Sequence, residues 1–315
     1  MKILIVQIGR IGDMVLTTPM FRVVANHIPN AELHVLASPR GAPVLQGNPR
    51  VKKIFIYRKD PFSLLLMIAR LRRTRYDWLI DPKDHPSREG ALLARICRAQ
   101  NRVGYNREGE KIFSFGIPSN DENMALHAVA RNLACLRPLG VTHHADCRPE
   151  LFPDARRTKK ICETILPDDR KTILLNISAG DASRYWPVEK WAKVAELCLA
   201  RGLRVLITYQ PSDGRSAKAL RDLQPGVILY HSSTINEIIA VMPLVNFVIT
   251  LDTSIVHIAS AFDVPQIALF PGVEWNLKKF RPLSSLSVVQ QPEKGEAVST
   301  IPAENVIAEI EKIIK

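Results

Sequence analysis

Short runs of consecutive apolar residues recur along the chain, and after each of them apolar residues return every three or four positions. The runs lack the alternation of a sheet with one wet face, so they predict strands buried on both faces of a parallel sheet. In the first half the pattern predicts strands near residues 2–8, 31–37, 52–57, 76–81 and 101–103. Helices are predicted at 13–27, 39–46, 62–73 and 87–97, with a longer one over 123–139 that Gly140 stops. Residues 141–153 lose periodicity and carry Pro149 and Pro153. The alternation then restarts, with strands near 172–177, 203–208, 226–229, 246–251 and 265–270 and helices near 188–201, 214–223, 235–242, 253–262 and 303–314. Two α/β domains, 1–153 and 154–315, are expected, each Rossmann-like, with parallel sheets facing across a cleft.

Composition supports ordinary globular folding: 315 residues, 46% hydrophobic and 23% charged, enough for two cores. Charge changes the picture more. Residues 1–150 hold 23 Lys and Arg against 13 Asp and Glu, whereas the remainder holds 20 against 18. Within the first half, residues 50–75 carry nine basic side chains and one acid, Asp60. Such a field attracts phosphates on a nucleic acid, an anionic membrane or a phosphorylated substrate. The apolar stretch 62–71 is too short to span a bilayer. The chain enters a strand directly from Met1 without the features of a secretory signal, so a cytoplasmic location is expected. Five scattered cysteines in no Cys-x-x-Cys spacing point to neither disulfides nor zinc, and no metal is expected at His143-His144-Ala145-Asp146-Cys147.

Chemistry is expected where strands give way to helices, because ligands of open α/β sheets bind at the carboxyl ends of strands. The first such junction reads Gly9-Arg10-Ile11-Gly12-Asp13, short of the glycine pattern of a dinucleotide fold. Asp13 there reads either as a helix cap or as a general base. The second junction, Asp252-Thr253-Ser254, opens a helix with amides and hydroxyls suited to a diphosphate, and His257 follows one turn on. A third loop runs from Ser178 through Arg184 to Trp186-Pro187, small residues around a planar cation that suits phosphate.

At these places the sequence resembles glycosyltransferase family 9, the ADP-heptose:lipopolysaccharide heptosyltransferases of the GT-B fold. The features are Ile-Gly-x-Ile-Gly-Asp followed by Thr17-Thr18-Pro19, Asn48-Pro49, Tyr76-Asp77-x-Leu79-Ile80-Asp81 and Arg102-Val103-Gly104-Tyr105. They continue with the Trp186-Pro187 loop and with Asp-Thr-x-x-x-His-x-Ala-x-Ala ending in Pro265 and Leu269-Phe270. Ser254, Ile255 and Phe270-Pro271-Gly272 depart from the common pattern.

The resemblance implies an acceptor site in the first domain and a nucleotide-sugar donor site in the second. It raises Asp13 from cap to catalytic base, beside Gly12, and assigns Ser178, Arg184, Asp252, Thr253, Ser254 and His257 to the donor. Arg184 stands where a lysine is common. Lys83, Asp84, His85 and Arg88 become acceptor contacts, with Asp84 a reserve base. The implied reaction is inverting, metal-independent transfer of a heptose from ADP-heptose, a substrate rather than a cofactor, to a hydroxyl of a phosphorylated glycolipid, the lipopolysaccharide core. Residues 62–75 read first as a sheet-covering helix with Leu64, Leu65, Ile68 and Leu71 in the core, and second as a peripheral contact with the anionic inner membrane. Other nucleotide sugars or acceptors, an epimerase on the same fold, and a non-enzymatic polyanion binder remain as alternatives. The last lacks any nucleic-acid motif, and aromatics are only 6% of the chain.

Overall fold

The central apolar runs form strands with hardly any exposed side chain, and the sheets they build are parallel. The computed structural model describes residues 1–106, 109–118, 120–142 and 148–313, in two compact units, Met1–Phe152 and Pro153–Lys315. The metal-ligand types at 143–147 and the end of the last predicted helix, Ile314, lie outside the described residues.

The first unit runs β1 (Lys2–Gln7), α1 (Ile11–His27), β2 (Glu32–Ala37), β3 (Val51–Ile56), α2 (Pro61–Arg72), β4 (Tyr76–Ile80), α3 (Arg88–Ile96), β5 (Ala99–Gly104), β6 (Phe115–Gly116), α4 (Asp121–Ala125) and α5 (Ala128–Ala134). Its sheet order is β3-β2-β1-β4-β5-β6, parallel throughout. The second unit runs α6 (Ala155–Thr164), β7 (Thr172–Asn176), α7 (Val188–Ala200), β8 (Arg204–Tyr209), α8 (Gly214–Leu223), β9 (Ile228–His231), α9 (Ile235–Val241), β10 (Phe247–Leu251), α10 (Ser254–Ala261), β11 (Gln266–Leu269), α11 (Glu274–Phe280), β12 (Ser287–Gln290) and α12 (Ala303–Ile313). Its order, β12-β11-β10-β7-β8-β9, repeats the first arrangement and is again parallel. Each sheet reverses its winding once, between β1 and β4 and between β7 and β10. Those are the switch points where open α/β sheets bind ligands.

Position in the sheet explains which strands are uniformly apolar. Ile3, Leu4 and Ile5 of β1 and Val248, Ile249 and Leu251 of β10 are completely buried because neighbours flank them on both sides and helices cover both faces. The edge strand β3 keeps only Phe55 buried.

Helix α1 carries Pro19 in its interior, which removes an amide from the helix ladder. The carbonyl left without that donor belongs to Val15, and Thr18 Oγ1 donates to it at 2.7 Å. Thr17 Oγ1 donates to the Asp13 carbonyl at 2.7 Å, and Thr18 Oγ1 also accepts the Glu150 amide at 2.9 Å. The Thr-Thr-Pro sequence thus repairs its own helix and ties it to residue 150.

Three expectations are corrected. The single helix over 123–139 is broken into α4, α5 and a 3-10 turn, Arg137–Leu139. The His127 ring accepts the Val129 amide and restarts the helix, while buried Arg131 donates to the Leu126 and Met124 carbonyls that a continuous helix would have used. Residues 39–46 form only a 3-10 turn, Ala42–Leu45, with Pro43 in its first positions. In α2, Leu65 lies outside rather than in the core, and Met67 takes the inner place with Leu71. Helices α6 and α11 and strands β6 and β12 are additions to the predicted set.

Candidate active site

In the first unit the β1–α1 turn holds Asp13 at the third position of α1, half-buried, with Oδ2 accepting the Arg10 amide at 2.8 Å. The carboxylate folds so tightly over the turn that a Cβ on Gly9 would lie 2.5 Å from Asp13 Oδ2 and 2.9 Å from Gln7 Oε1. Only glycine fits beneath it. Gln7 holds the turn from below, its side-chain oxygen accepting the Gly9 amide at 3.2 Å and its Nε2 donating to Thr17 Oγ1 at 2.9 Å. Ser38, at the end of the adjacent β2, donates to the Gly9 carbonyl at 2.8 Å. Asp13 is therefore not the N-cap that the spacing suggests: the helix begins two residues earlier, Arg10 takes the cap position, and Asp13 reaches back to it from the third helical position, on a turn braced from three sides. Gly12 occupies the second helical position beside it.

The segment after β4 leaves the neighbouring strand at the same end of the sheet. Asp84 accepts from Arg131 Nη1 at 2.7 Å and lies 3.0 Å from His85 Nδ1, so this reserve base is held in an ion pair with a buried guanidinium. Lys83 is half-buried, His85 is exposed, and Arg88 opens α3 in an exposed position.

Asp81 is a perturbed acid of this region. It is buried, accepts the Lys83 amide at 3.2 Å, and its other oxygen rests on Gly90, where a Cβ would collide with it. Burial pushes its carboxyl up to about 6, against the weaker opposing effect of the Lys83 amide. A folded-state pKa above the unfolded value of 3.8 means that this group favours folding most strongly below pH 4, and that the benefit fades as pH rises through 6. Asp81→Asn is expected to raise stability at pH 7 by up to ~3 kcal/mol and to flatten the stability profile between about pH 4 and 6. Urea denaturation across that range checks it; an unchanged pH slope contradicts the assignment.

The second unit gathers its predicted residues around the switch between β7 and β10. Thr253 caps α10, its Oγ1 accepting the Ile255 amide at 3.3 Å, and Ser254 begins the helix. Arg184 ends the 3-10 turn Ala182–Arg184 and reaches across to Asp252, with Nη1 3.0 Å from the main-chain oxygen and 3.1 Å from Oδ2. The Asp252 carboxylate is thereby paired with a guanidinium. The Asp252 side chain is 5% exposed and that of Arg184 26%, so the acid is sealed in while the guanidinium keeps a face open to solvent.

Ser178 is buried, with Oγ committed to the Gln210 amide at 2.8 Å, so it joins the loops after β7 and β8. His257 is buried, its ring centroid 6.0 Å from that of Phe280. Among the described residues no group of three or more His, Cys, Asp or Glu side chains is placed to hold a metal ion.

Two members of this cluster went unread in the sequence. Asn176 ends β7, and its Nδ2 donates to the Ser178 carbonyl, Thr250 Oγ1 and Thr253 Oγ1 at 3.2, 3.0 and 3.1 Å. It ties the two switch-point loops together. Asn276 on α11 is 2% exposed, and its Nδ2 donates to Asp252 Oδ2 at 2.6 Å. Its Oδ1 has no hydrogen-bond partner among the described residues. A polar side chain at the end of an apolar run marks Asn176, but nothing local marks Asn276.

Residues 65–297 match the profile of glycosyltransferase family 9 (heptosyltransferase). The chain belongs to that family. The match starts at residue 65, after the β1–α1 turn. Lipopolysaccharide heptosyltransferase 3 of Escherichia coli K12 is 26% identical over 337 aligned positions, covering 96% of this chain and 95% of the relative. Among solved structures, E. coli ADP-heptose lipopolysaccharide heptosyltransferase II superposes with a TM-score of 0.83 at 20% identity, covering 99% of this chain and 98% of that one. E. coli heptosyltransferase WaaC with ADP gives 0.82 at 17% identity, covering 99% of each. At such identities these structures establish the fold, two Rossmann-like units of the GT-B type. As a family 9 member the chain is a glycosyltransferase, which removes the reading as a non-enzymatic polyanion binder.

Proposed function

We propose that this family 9 enzyme transfers a heptose from ADP-heptose to a hydroxyl of a phosphorylated lipopolysaccharide core acceptor, with inversion and without a metal ion, at the cytoplasmic face of the inner membrane. The second unit holds the donor and the first the acceptor. The observation that carries the reading is the Arg184–Asp252–Asn276 cluster at the start of α10, where a cation and a helix N-terminus meet at a strand switch point. Similarity to structures named for ADP and ADP-heptose supports the choice of nucleotide sugar.

In this mechanism the Asp13 carboxylate takes the proton of the acceptor hydroxyl as its oxygen bonds to the anomeric carbon. The bond from that carbon to the diphosphate breaks, and ADP leaves with the electron pair. Arg184, the amides of the first turn of α10 and the nearby Lys279 meet the growing charge on the diphosphate, the task a metal performs in other sites. Lys278, engaged with Glu274 at 2.6 Å, is the other cation of this helix. Asp252, held by Asn276, serves the donor by fixing Arg184, with Ser178, Thr253, Ser254 and His257 shaping the surroundings. Lys83, His85 and Arg88 bind the acceptor's phosphates, with Asp84 and Gly12 beside them.

A ligand that binds only the folded state raises its melting temperature. In the presence of EDTA, ADP-heptose and ADP are therefore expected to raise Tm, while UDP-linked sugars leave it unchanged. Equal shifts from UDP-sugars, or a shift that appears only when a divalent cation is added, would contradict the reading.

A further inference from the structure

Helix α2 has two unlike faces. Its inner face is complete: Met67 and Leu71 are buried against Phe55, Leu79 and Leu93, with Leu64 and Ile68 packed beside them. Its outer face carries Phe62, Leu65 and Leu66, which are 72%, 66% and 41% exposed. They stand at i, i+3 and i+4, so they form one continuous apolar patch rather than scattered side chains. The last turn and its exit carry Arg70, Arg72, Arg73 and Arg75, all exposed. Among the described residues none of these four arginines is paired with a carboxylate, whereas Lys59 is engaged with Glu89 at 2.8 Å. The one acid of the segment, Asp60, is spent on the cap, accepting the Ser63 amide at 2.9 Å.

This combination selects its partner. A second copy of the chain docked through the patch would bring one set of arginines against the other, and nothing on this face would balance them. A nucleic acid would use the arginines and leave the three large apolar side chains in water. An anionic bilayer supplies both an acyl boundary for Phe62, Leu65 and Leu66 and phosphates for the arginines.

We propose that the outer face of α2 is a membrane-docking surface, seating Phe62, Leu65 and Leu66 at the acyl boundary of an anionic phospholipid leaflet with Arg70, Arg72 and Arg73 on its headgroup phosphates. The inference does not depend on the assigned sugar chemistry, although a lipid-borne acceptor would give the surface its use. The helix is too short to span the bilayer, so the attachment is peripheral and reversible.

The test is co-sedimentation of the full chain with phosphatidylcholine vesicles and with phosphatidylcholine–phosphatidylglycerol vesicles. Binding is expected only to the mixed vesicles and is expected to weaken with salt. The exposed-site variant Phe62→Ser/Leu65→Ser/Leu66→Ser should lose about tenfold or more in partitioning, and Arg70→Gln/Arg72→Gln/Arg73→Gln should lose a similar factor together with most of the salt dependence. Both should keep the melting temperature of the wild type and its transfer to a deacylated, soluble acceptor. A Phe62→Trp variant should shift its emission to the blue on mixed vesicles. The proposal is overturned if wild type ignores the mixed vesicles, if either triple variant binds as well as wild type, or if the serine variant instead abolishes a concentration-dependent dimer. Loss of transfer activity with vesicle binding intact would count against the proposed chemistry alone.

Discussion

Asp13→Asn is expected to lower turnover by about 10²–10⁴-fold, the usual contribution of a positioned general base, while leaving affinity for the donor within experimental error. The substitution is informative because of what it preserves. From the third helical position the Asn side-chain oxygen can accept the Arg10 amide as the carboxylate does, and the amide occupies the same space over Gly9. What disappears is the ability to take a proton. If Asp13 served only to hold the Arg10 amide, Asn would support nearly full turnover. Steady-state kinetics with saturating donor, together with donor titration, separates the two roles, and an unchanged kcat would leave Asp13 only the role of an acceptor at the helix start.

The second large effect is expected from Asp252→Ala. Removing this buried carboxylate leaves Arg184 with only the main-chain oxygen of residue 252 and strands Asn276, whose Oδ1 already has no partner among the described residues. A buried pair broken on one side costs about 3–5 kcal/mol, and because Arg184 keeps a solvent-facing side the loss here should be nearer 2–3 kcal/mol. Donor affinity should fall further than stability alone accounts for, by about a hundredfold, since the clamp that orients the Arg184 fork is gone. Arg184→Lys should sit between this variant and wild type, keeping charge but not the planar guanidinium that meets Asp252 through Nη1 and keeps another face toward solvent. Denaturant unfolding and calorimetric titration with ADP check the pair of effects. Full donor affinity in Asp252→Ala would mean that the cluster is a structural tie.

The parts of this architecture that could be read from the chain are those dictated by burial. Strands such as β1 and β10 announce themselves because both faces are covered and their central runs, residues 3–6 and 247–249, are apolar. The elements that escaped have weaker local signals. β6 is a two-residue edge strand, β12 is half-buried throughout, and α6 presents a single buried residue, Ile161. The apolar spacing over 123–139 runs straight through a break made by side chains: His127 and Arg131 take over the main-chain groups there.

The site divides in the same way. Asp13, Arg184 and Asp252 lie in the segments that follow strands, where sequence position marks them as candidates and the family resemblance gives them roles. Their partnerships are made through space. Arg184 and Asp252 are separated by 68 residues, and Asp252 and Asn276 by 24, across elements whose approach depends on the sheet order. Asn276 therefore emerges only with the fold, and so does the outward turn of Leu65.

The most direct test of the proposed reaction is a single incubation of the purified chain with ADP-heptose and a deacylated lipopolysaccharide core acceptor in EDTA, read by mass spectrometry and by NMR of the new glycosidic bond. The account predicts an acceptor heavier by one heptose, ADP released in equal amount, and an anomeric configuration opposite to that of the donor. Retained configuration, an absolute requirement for added metal, or ADP release without a heavier acceptor would contradict it.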